Sequence, residues 1–349
     1  MQLMKKGSGL METVPVQEAV GMVLGHDVTE IIPGSFKGRA FKKGHIIQDQ
    51  DIEHLLRIGK EHIYVLNLEK GFVHEDEAAQ RIAQAVSGQG LELSEPSEGR
   101  INMQAASDGL LKIDTQLLEA VNSIDNVVVA TAHTNQQVHK GRAVAGTRVV
   151  PLVVEERTVQ AVEELCAPNQ VLSVLPFRTL AVGMVTTGSE VYAGRVQDGF
   201  GPVVSQKFAD LGCSLTRQIF VSDDLNMTVQ AVEDLIGHGA DMVVLTGGMS
   251  VDPDDVTPSS INAVADRVVS YGSPTFPGAM FMLAYKGDIP IIGLPGCVMY
   301  YKASIFDLIL PRLVAGDQVR KQDIAKLGHG GFCAGCAACR YPLCPFGKS

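Results

Sequence analysis

DMVVLTGGMSVDPDDVTP, residues 241–258, is the stretch whose reading decides the fold. Residues 242–245 are a short apolar run with two valines, the pattern of a strand buried on both faces. At Thr246-Gly247-Gly248, two residues without Cβ let the backbone turn sharply and a ligand come close. Carboxylates follow at once, Asp252, Asp254 and Asp255, closed by Val256-Thr257-Pro258. A strand running through a glycine turn into acids is how an open α/β sheet builds a site for phosphate and magnesium. The same letters also describe a strand, a turn and a helix start capped by acids.

Working outward, the chain alternates regularly on both sides of this stretch. Apolar runs predict strands at 180–186, 214–221 and 289–294, and helical spacing predicts helices at 201–211, 226–238, 259–265 and 300–314. Such alternation implies an α/β domain with a doubly wound, mainly parallel sheet. Ligands on these sheets sit outside the carboxyl ends of the strands. Thr187-Gly188-Ser189-Glu190, Gly247-Gly248 with Ser250 and its acids, and Pro295-Gly296-Cys297 all fall at such ends. Three loops converging on one edge argue for a site more strongly than any one of them.

Before this domain, the pattern predicts a mixed α+β region. Short helices are expected at 16–20, 50–59, 74–88, 113–121 and 156–166, with Asp114 as a helix N-cap. Strands are expected at 38–47, 62–66, 127–132 and 149–154, and an exposed loop at 89–99. Lys140, Arg142 and Arg148 lie in a basic loop that either faces an anion or is simply solvated. The chain therefore divides into 1–70, 71–175, an α/β domain over 176–316, and a cysteine-rich tail over 317–349.

Totals narrow the function. The 349 residues are 46% hydrophobic and 19% charged, which suits folded domains, and net charge is -10. No basic block stands out, aromatics make up 5%, and Trp is absent, so nucleic-acid binding is not expected. Neither a signal-like leader nor a membrane-length apolar run is read, which places the chain in the cytoplasm and off the membrane. Four of the seven cysteines, Cys333, Cys336, Cys339 and Cys344, have the spacing C-x2-C-x2-C-x4-C, with Pro345 after the last. Thiolates so spaced wrap one zinc or an iron–sulfur cluster, whereas dispersed pairs would mark disulfides.

The segment from Leu180 to about Gly316 resembles the molybdopterin-binding domain shared by molybdopterin adenylyltransferases and molybdopterin molybdotransferases. TTGSE at 186–190, VSDD at 221–224, LTGGMSVDPDD at 245–255, GLPGC at 293–297 and FDLILPRLVAG at 306–316 carry the resemblance. KKGHIIQDQDIEHLLRIGKEHIYVL at 42–66 is similar to the molybdotransferase type, so the chain looks like a molybdotransferase without its C-terminal β domain. The resemblance implies molybdenum cofactor biosynthesis: binding of molybdopterin or its adenylate, Mg²⁺-dependent molybdate insertion, a transferase activity and a dimer or trimer. Carried onto this chain, Thr187, Gly188, Ser189, Gly247, Gly248, Ser250, Pro295, Gly296 and Cys297 would hold pterin or nucleotide. Glu190, Asp254 and Asp255 would act in catalysis, with Asp254 and Asp255 holding Mg²⁺.

The chain departs from that pattern in three segments. Ser189 stands for an Asp, Asp198-Gly199-Phe200 for Asp-Ser-Asn, and Cys297 for an Asn. DDVTP at 254–258 is similar to the adenylyltransferase type and to the competence-damage-inducible nucleotide hydrolases. Two alternatives follow: a non-catalytic carrier or sensor of molybdopterin or nucleotide, and hydrolysis of a nucleotide pyrophosphate.

Overall fold

The alternation read from residue 180 onward is realised as a six-stranded sheet. The computed structural model describes residues 11–32, 36–66, 71–97, 99–150, 152–250 and 252–348. They fall into two units, one holding 174–349 with 107–112 and 133–140, the other holding the remainder of the chain before 174.

In the C-terminal unit the strand order is Ser214–Val221, Ala181–Thr187, Met242–Thr246, Ile289–Leu294, Met282–Lys286, Arg267–Tyr271. The first four are parallel. The last two run antiparallel, so the sheet is mixed. A meander joins consecutive strands without a crossover helix, and the helix–strand alternation therefore carries no trace of this antiparallel edge.

Side chains alternate across the sheet and feed two cores. Val182, Met184, Val244 and Ile292 pack with Phe208 and Phe306 on one face, while Val185, Val243, Leu245 and Ile291 pack with Val232, Leu235 and Ile261 on the other. Helices Phe200–Ala209 and Ile305–Val314 supply the first face; Leu225–Gly237 and Thr257–Val264 supply the second. Phe208 and Phe306 meet edge to face at 5.8 Å, and truncating a buried ring of this kind costs about 3–5 kcal/mol. Gly183 is the close-approach point, because a Cβ there would sit 3.0 Å from Leu235 side-chain atoms.

The single helix expected at 300–314 is two pieces, Cys297–Tyr300 and Ile305–Val314. Ser304 interrupts it by forming a capping box: its Oγ accepts from Phe306 N–H, and its own N–H donates to Asp307 Oδ2 at 2.8 Å. A serine in the middle of an apolar run competes for backbone hydrogen bonds, so it starts a helix here and does not continue one.

In the N-terminal unit, helix Glu75–Val86 packs on a four-stranded antiparallel sheet in the order Leu91–Leu93, Arg100–Ala105, Ala143–Val149, Val127–Thr131. Arg81 ties that helix to Glu156–Cys166 through Glu156 and Glu163, with 2.8 Å contacts to each. Asp114 caps Thr115–Asn122 as expected, accepting from Gln116 and Leu117 N–H. The strand expected at 149–154 is instead the ends of two, Ala143–Val149 and Val153–Glu155, and the expected loop at 89–99 contains the strand Leu91–Leu93. An unbroken apolar run does not show where one strand stops and the next begins, and a three-residue strand beside Gly88-Gln89-Gly90 is too short to show a period.

Candidate functional site

The site begins where the Met242–Thr246 strand, buried throughout, reaches its glycines. Gly247 has φ +84° and Gly248 φ +53°, a region L side chains rarely adopt. Space forbids a side chain as well: a Cβ on Gly247 would lie 2.2 Å from the Thr187 carbonyl oxygen, and one on Gly248 2.9 Å from Thr257 Oγ1. Two buried threonines prop this turn from beneath. Thr187 Oγ1 donates to Thr246 O at 3.2 Å, and Thr257 Oγ1 donates to Gly247 O at 2.9 Å. Thr187, expected to touch ligand, is a support; Thr257, its partner at 3.3 Å, is a functional position the sequence reading passed over.

None of the amides of Gly247, Gly248, Met249 and Ser250 donates to an acceptor among the described residues. Successive unpaired N–H groups at a left-handed turn form a concave nest for an anion. Val251, within the same loop, lies outside the described residues.

The nest opens into a cleft of about 460 Å³. Gly247, Gly248, Met249, Ser250 and Asp255 form one wall; Leu294, Pro295, Gly296 and Cys297 form another, with Phe200 and residues 278–280 closing it. Of the residues expected at the site, Gly247, Gly248, Ser250, Asp255, Pro295, Gly296 and Cys297 are thus brought together. Thr187, Gly188, Ser189, Glu190 and Asp254 do not line the cleft. Ser189 uses both its N–H and its Oγ on Asp223 Oδ2, each at 2.9 Å. Glu190 is exposed and curls back over Gly188, where a Cβ would lie 3.2 Å from Oε1. Asp254 is exposed.

Asp198 is occupied elsewhere. Its carboxylate accepts from the N–H groups of Phe200 and Gly201 at 2.9 Å, capping Phe200–Ala209, and from Gln218 Nε2 at 2.6 Å. Phe200, Met249 and Met280, apolar lining that the sequence reading did not assign, have no polar signature by which to be found.

No Lys, Arg or His is among the described residues lining the cleft. A phosphate in it would be held by amides and the Ser250 hydroxyl, on the same wall as the Asp255 carboxylate, which accepts from Asp252 N–H at 3.1 Å. One carboxylate beside a phosphate nest fits Mg²⁺, which takes one or two protein carboxylates and fills its shell with water and phosphate oxygens. Burial pushes the Cys297 thiol up, and Asp307 adds to that, so the cleft presents a neutral thiol at neutral pH. Among the described residues, the tail cysteines included, no three His, Cys, Asp or Glu side chains converge on a metal position. No helix among the described residues is long and apolar enough to cross a membrane.

These features define an α/β domain with a candidate anion nest at the carboxyl edge of its sheet. Residues 183–315 match the family model described as a probable molybdopterin binding domain, and residues 13–67 match a domain of unknown function, DUF8806. A CinA-like protein of Mycobacterium sp. (strain MCS) is 35% identical over 86 residues, 24% of this chain and 20% of that protein. A molybdopterin adenylyltransferase of Pyrococcus furiosus is 30% identical over 95 residues, 27% of this chain and 56% of that protein. The chain thus spans about a fifth to about half the length of these curated relatives. Among solved structures, a molybdopterin biosynthesis enzyme MoaB from Thermus thermophilus aligns at 20% identity and TM-score 0.35, covering 40% of this chain and 98% of that one.

Proposed function

We propose that the cleft binds molybdopterin by its phosphate and serves molybdenum cofactor biosynthesis. The observation that carries this reading is the run of unpaired amides from Gly247 to Ser250 directly beside Asp255. The match of residues 183–315 to a molybdopterin binding domain supports the ligand class. In this reading the nest and the Ser250 hydroxyl hold the phosphate, and Phe200, Met249 and Met280 cover the apolar flank of the pterin. Asp255, with Asp254 beside it in the chain, would hold Mg²⁺, which when bound neutralises charge on the phosphate oxygens.

For the reaction, we favour adenylyl transfer. A pterin phosphate oxygen attacks the α-phosphorus of ATP, the bond to the β-phosphate breaks, and pyrophosphate leaves. The curated adenylyltransferase relative and DDVTP at 254–258 support that choice. Molybdate insertion, expected from the N-terminal resemblance, uses the same cleft with the adenylated pterin as substrate. A carrier role is favoured by one specific observation: Ser189 and Asp198 are engaged in internal hydrogen bonds, and Glu190 and Asp254 lie outside the cleft. Assembly as a dimer or trimer belongs to the same proposal and is read by light scattering.

Incubating the chain with molybdopterin, Mg²⁺ and ATP separates these readings. Adenylated pterin and pyrophosphate support adenylyl transfer. Loss of AMP from supplied adenylated pterin only when molybdate is added supports insertion. Tight binding without any product supports the carrier, and absence of pterin binding overturns the whole reading.

A further inference from the structure

The segment 328–348 contains no helix or strand, yet it is not a loose tail. Gly347 N–H donates to Gly330 O at 2.9 Å, closing residues 330–347 into a loop whose ends touch. The base of that loop is fastened to the domain. Phe276 N–H donates to Gly331 O and Cys333 N–H to Phe276 O, both at 2.8 Å, with the Phe276 and Phe332 rings 6.4 Å apart. Tyr341 OH donates to Asp307 O at 2.8 Å, Phe346 is buried, and Gly347 presses on Leu308 so closely that a Cβ would sit 2.3 Å from Cδ2.

Above this base the loop is bare. From residue 334 to 344, Leu343 alone donates its amide to an acceptor among the described residues. A segment with no ladder and no core of its own, bearing four thiols between residues 333 and 344, lacks an internal reason for order. Thiolate ligation supplies one, and free amides around the sulfurs are the hydrogen-bond donors that metal-bound thiolates take. The residues between the thiols are small: Ala334, Ala337 and Ala338, with Gly335 at φ +63° and no heavy atom within 4 Å of where a Cβ would be.

We propose that residues 330–347 are a tetrathiolate metal site in which Cys333, Cys336, Cys339 and Cys344 close on one soft metal centre. Its base is paired with Phe276, and residues 278–280 of that same strand-free stretch line the cleft. Metal occupancy therefore sets how firmly that wall of the cleft is held. The site stands on the loop's own geometry and holds whichever ligand the cleft takes.

The test uses the full chain purified without oxygen. About one zinc, or about four iron with matching sulfide and a broad brown absorbance, is expected per chain, and both are lost in the Cys336→Ser/Cys339→Ser variant. Chelator-stripped wild-type chain reloaded with zinc, or with iron and sulfide, guards against a variant that fails to fold. Substoichiometric metal after both reloading steps, or full metal in the double variant, overturns the site. Amide exchange across 272–281 is expected to slow on loading; metal uptake with unchanged exchange there overturns the link to the cleft.

Discussion

Gly247 has no freedom to be anything else, because a side chain there meets both a forbidden φ and the Thr187 carbonyl. Gly247→Ala is expected to cost about 1–3 kcal/mol from backbone strain alone and to abolish anion binding; urea denaturation and a phosphate-ligand titration check the two effects. Asp255 is the opposite case. It sits on a half-exposed turn and holds one amide, so Asp255→Ala should leave the melting temperature within a few degrees while removing Mg²⁺-dependent turnover. An unchanged rate in that variant takes Asp255 out of the mechanism. Cys297 offers a third reading at this scale. Its thiol is pushed up by burial, so its alkylation at neutral pH should lag well behind that of an unstructured cysteine peptide and climb as pH rises. Equal rates, measured by peptide mapping, would show that burial does not control it.

At the scale of elements, polar residues at the ends of helices decide what the cleft is made of. Ser304 and Asp307 cut the apolar run after Pro295, leaving Cys297–Tyr300 as a separate piece beside the cleft. Ser304 is fully buried, and Ser304→Ala should cost about 0.5–2 kcal/mol. Thermal unfolding would read this, and a neutral result would mean that packing of Phe306 and Ile309, not the cap, starts the helix. Asp198 makes the same point. Its carboxylate closes the N-terminus of Phe200–Ala209 and does not line the cleft. Capping acids and catalytic acids look identical along the chain, since both follow a turn and precede a helix.

At the scale of the whole molecule, the N-terminal unit carries a buried cluster that couples its stability to pH. Glu75 is raised from 4.5 to about 7 by burial first, then by Asp76. The unfolded chain ionises this group from 4.5 upward while the fold keeps the proton to about 7. Its contribution is therefore full below 4.5 and lost as pH rises to 7. His74, depressed by burial, runs the other way and loses stability as pH falls through 6.5. Comparing Glu75→Gln with the wild-type chain isolates the first effect. The variant should gain about 2–4 kcal/mol relative to wild type between pH 4.5 and 8, by urea denaturation at each pH. A flat difference would mean that Lys43 or Arg148 keeps Glu75 ionised in the fold.

By itself the sequence determined the four parallel strands, the helices on both faces and the three loops at their carboxyl ends. Apolar runs and glycines are local signals with periods that the backbone must obey. It also marked Gly247, Gly248, Ser250, Asp255, Pro295, Gly296 and Cys297, which the fold gathers around one cleft. Only the tertiary structure decided that Thr187 and Thr257 lie beneath the turn, that Ser189 is spent on Asp223, and that Phe276 anchors the cysteine loop. These are contacts between residues 10 to 70 positions apart. A threonine, serine or phenylalanine carries no mark of which distant backbone it will meet. That is set by how the strands order themselves, and the antiparallel edge of this sheet shows that order is itself a tertiary outcome.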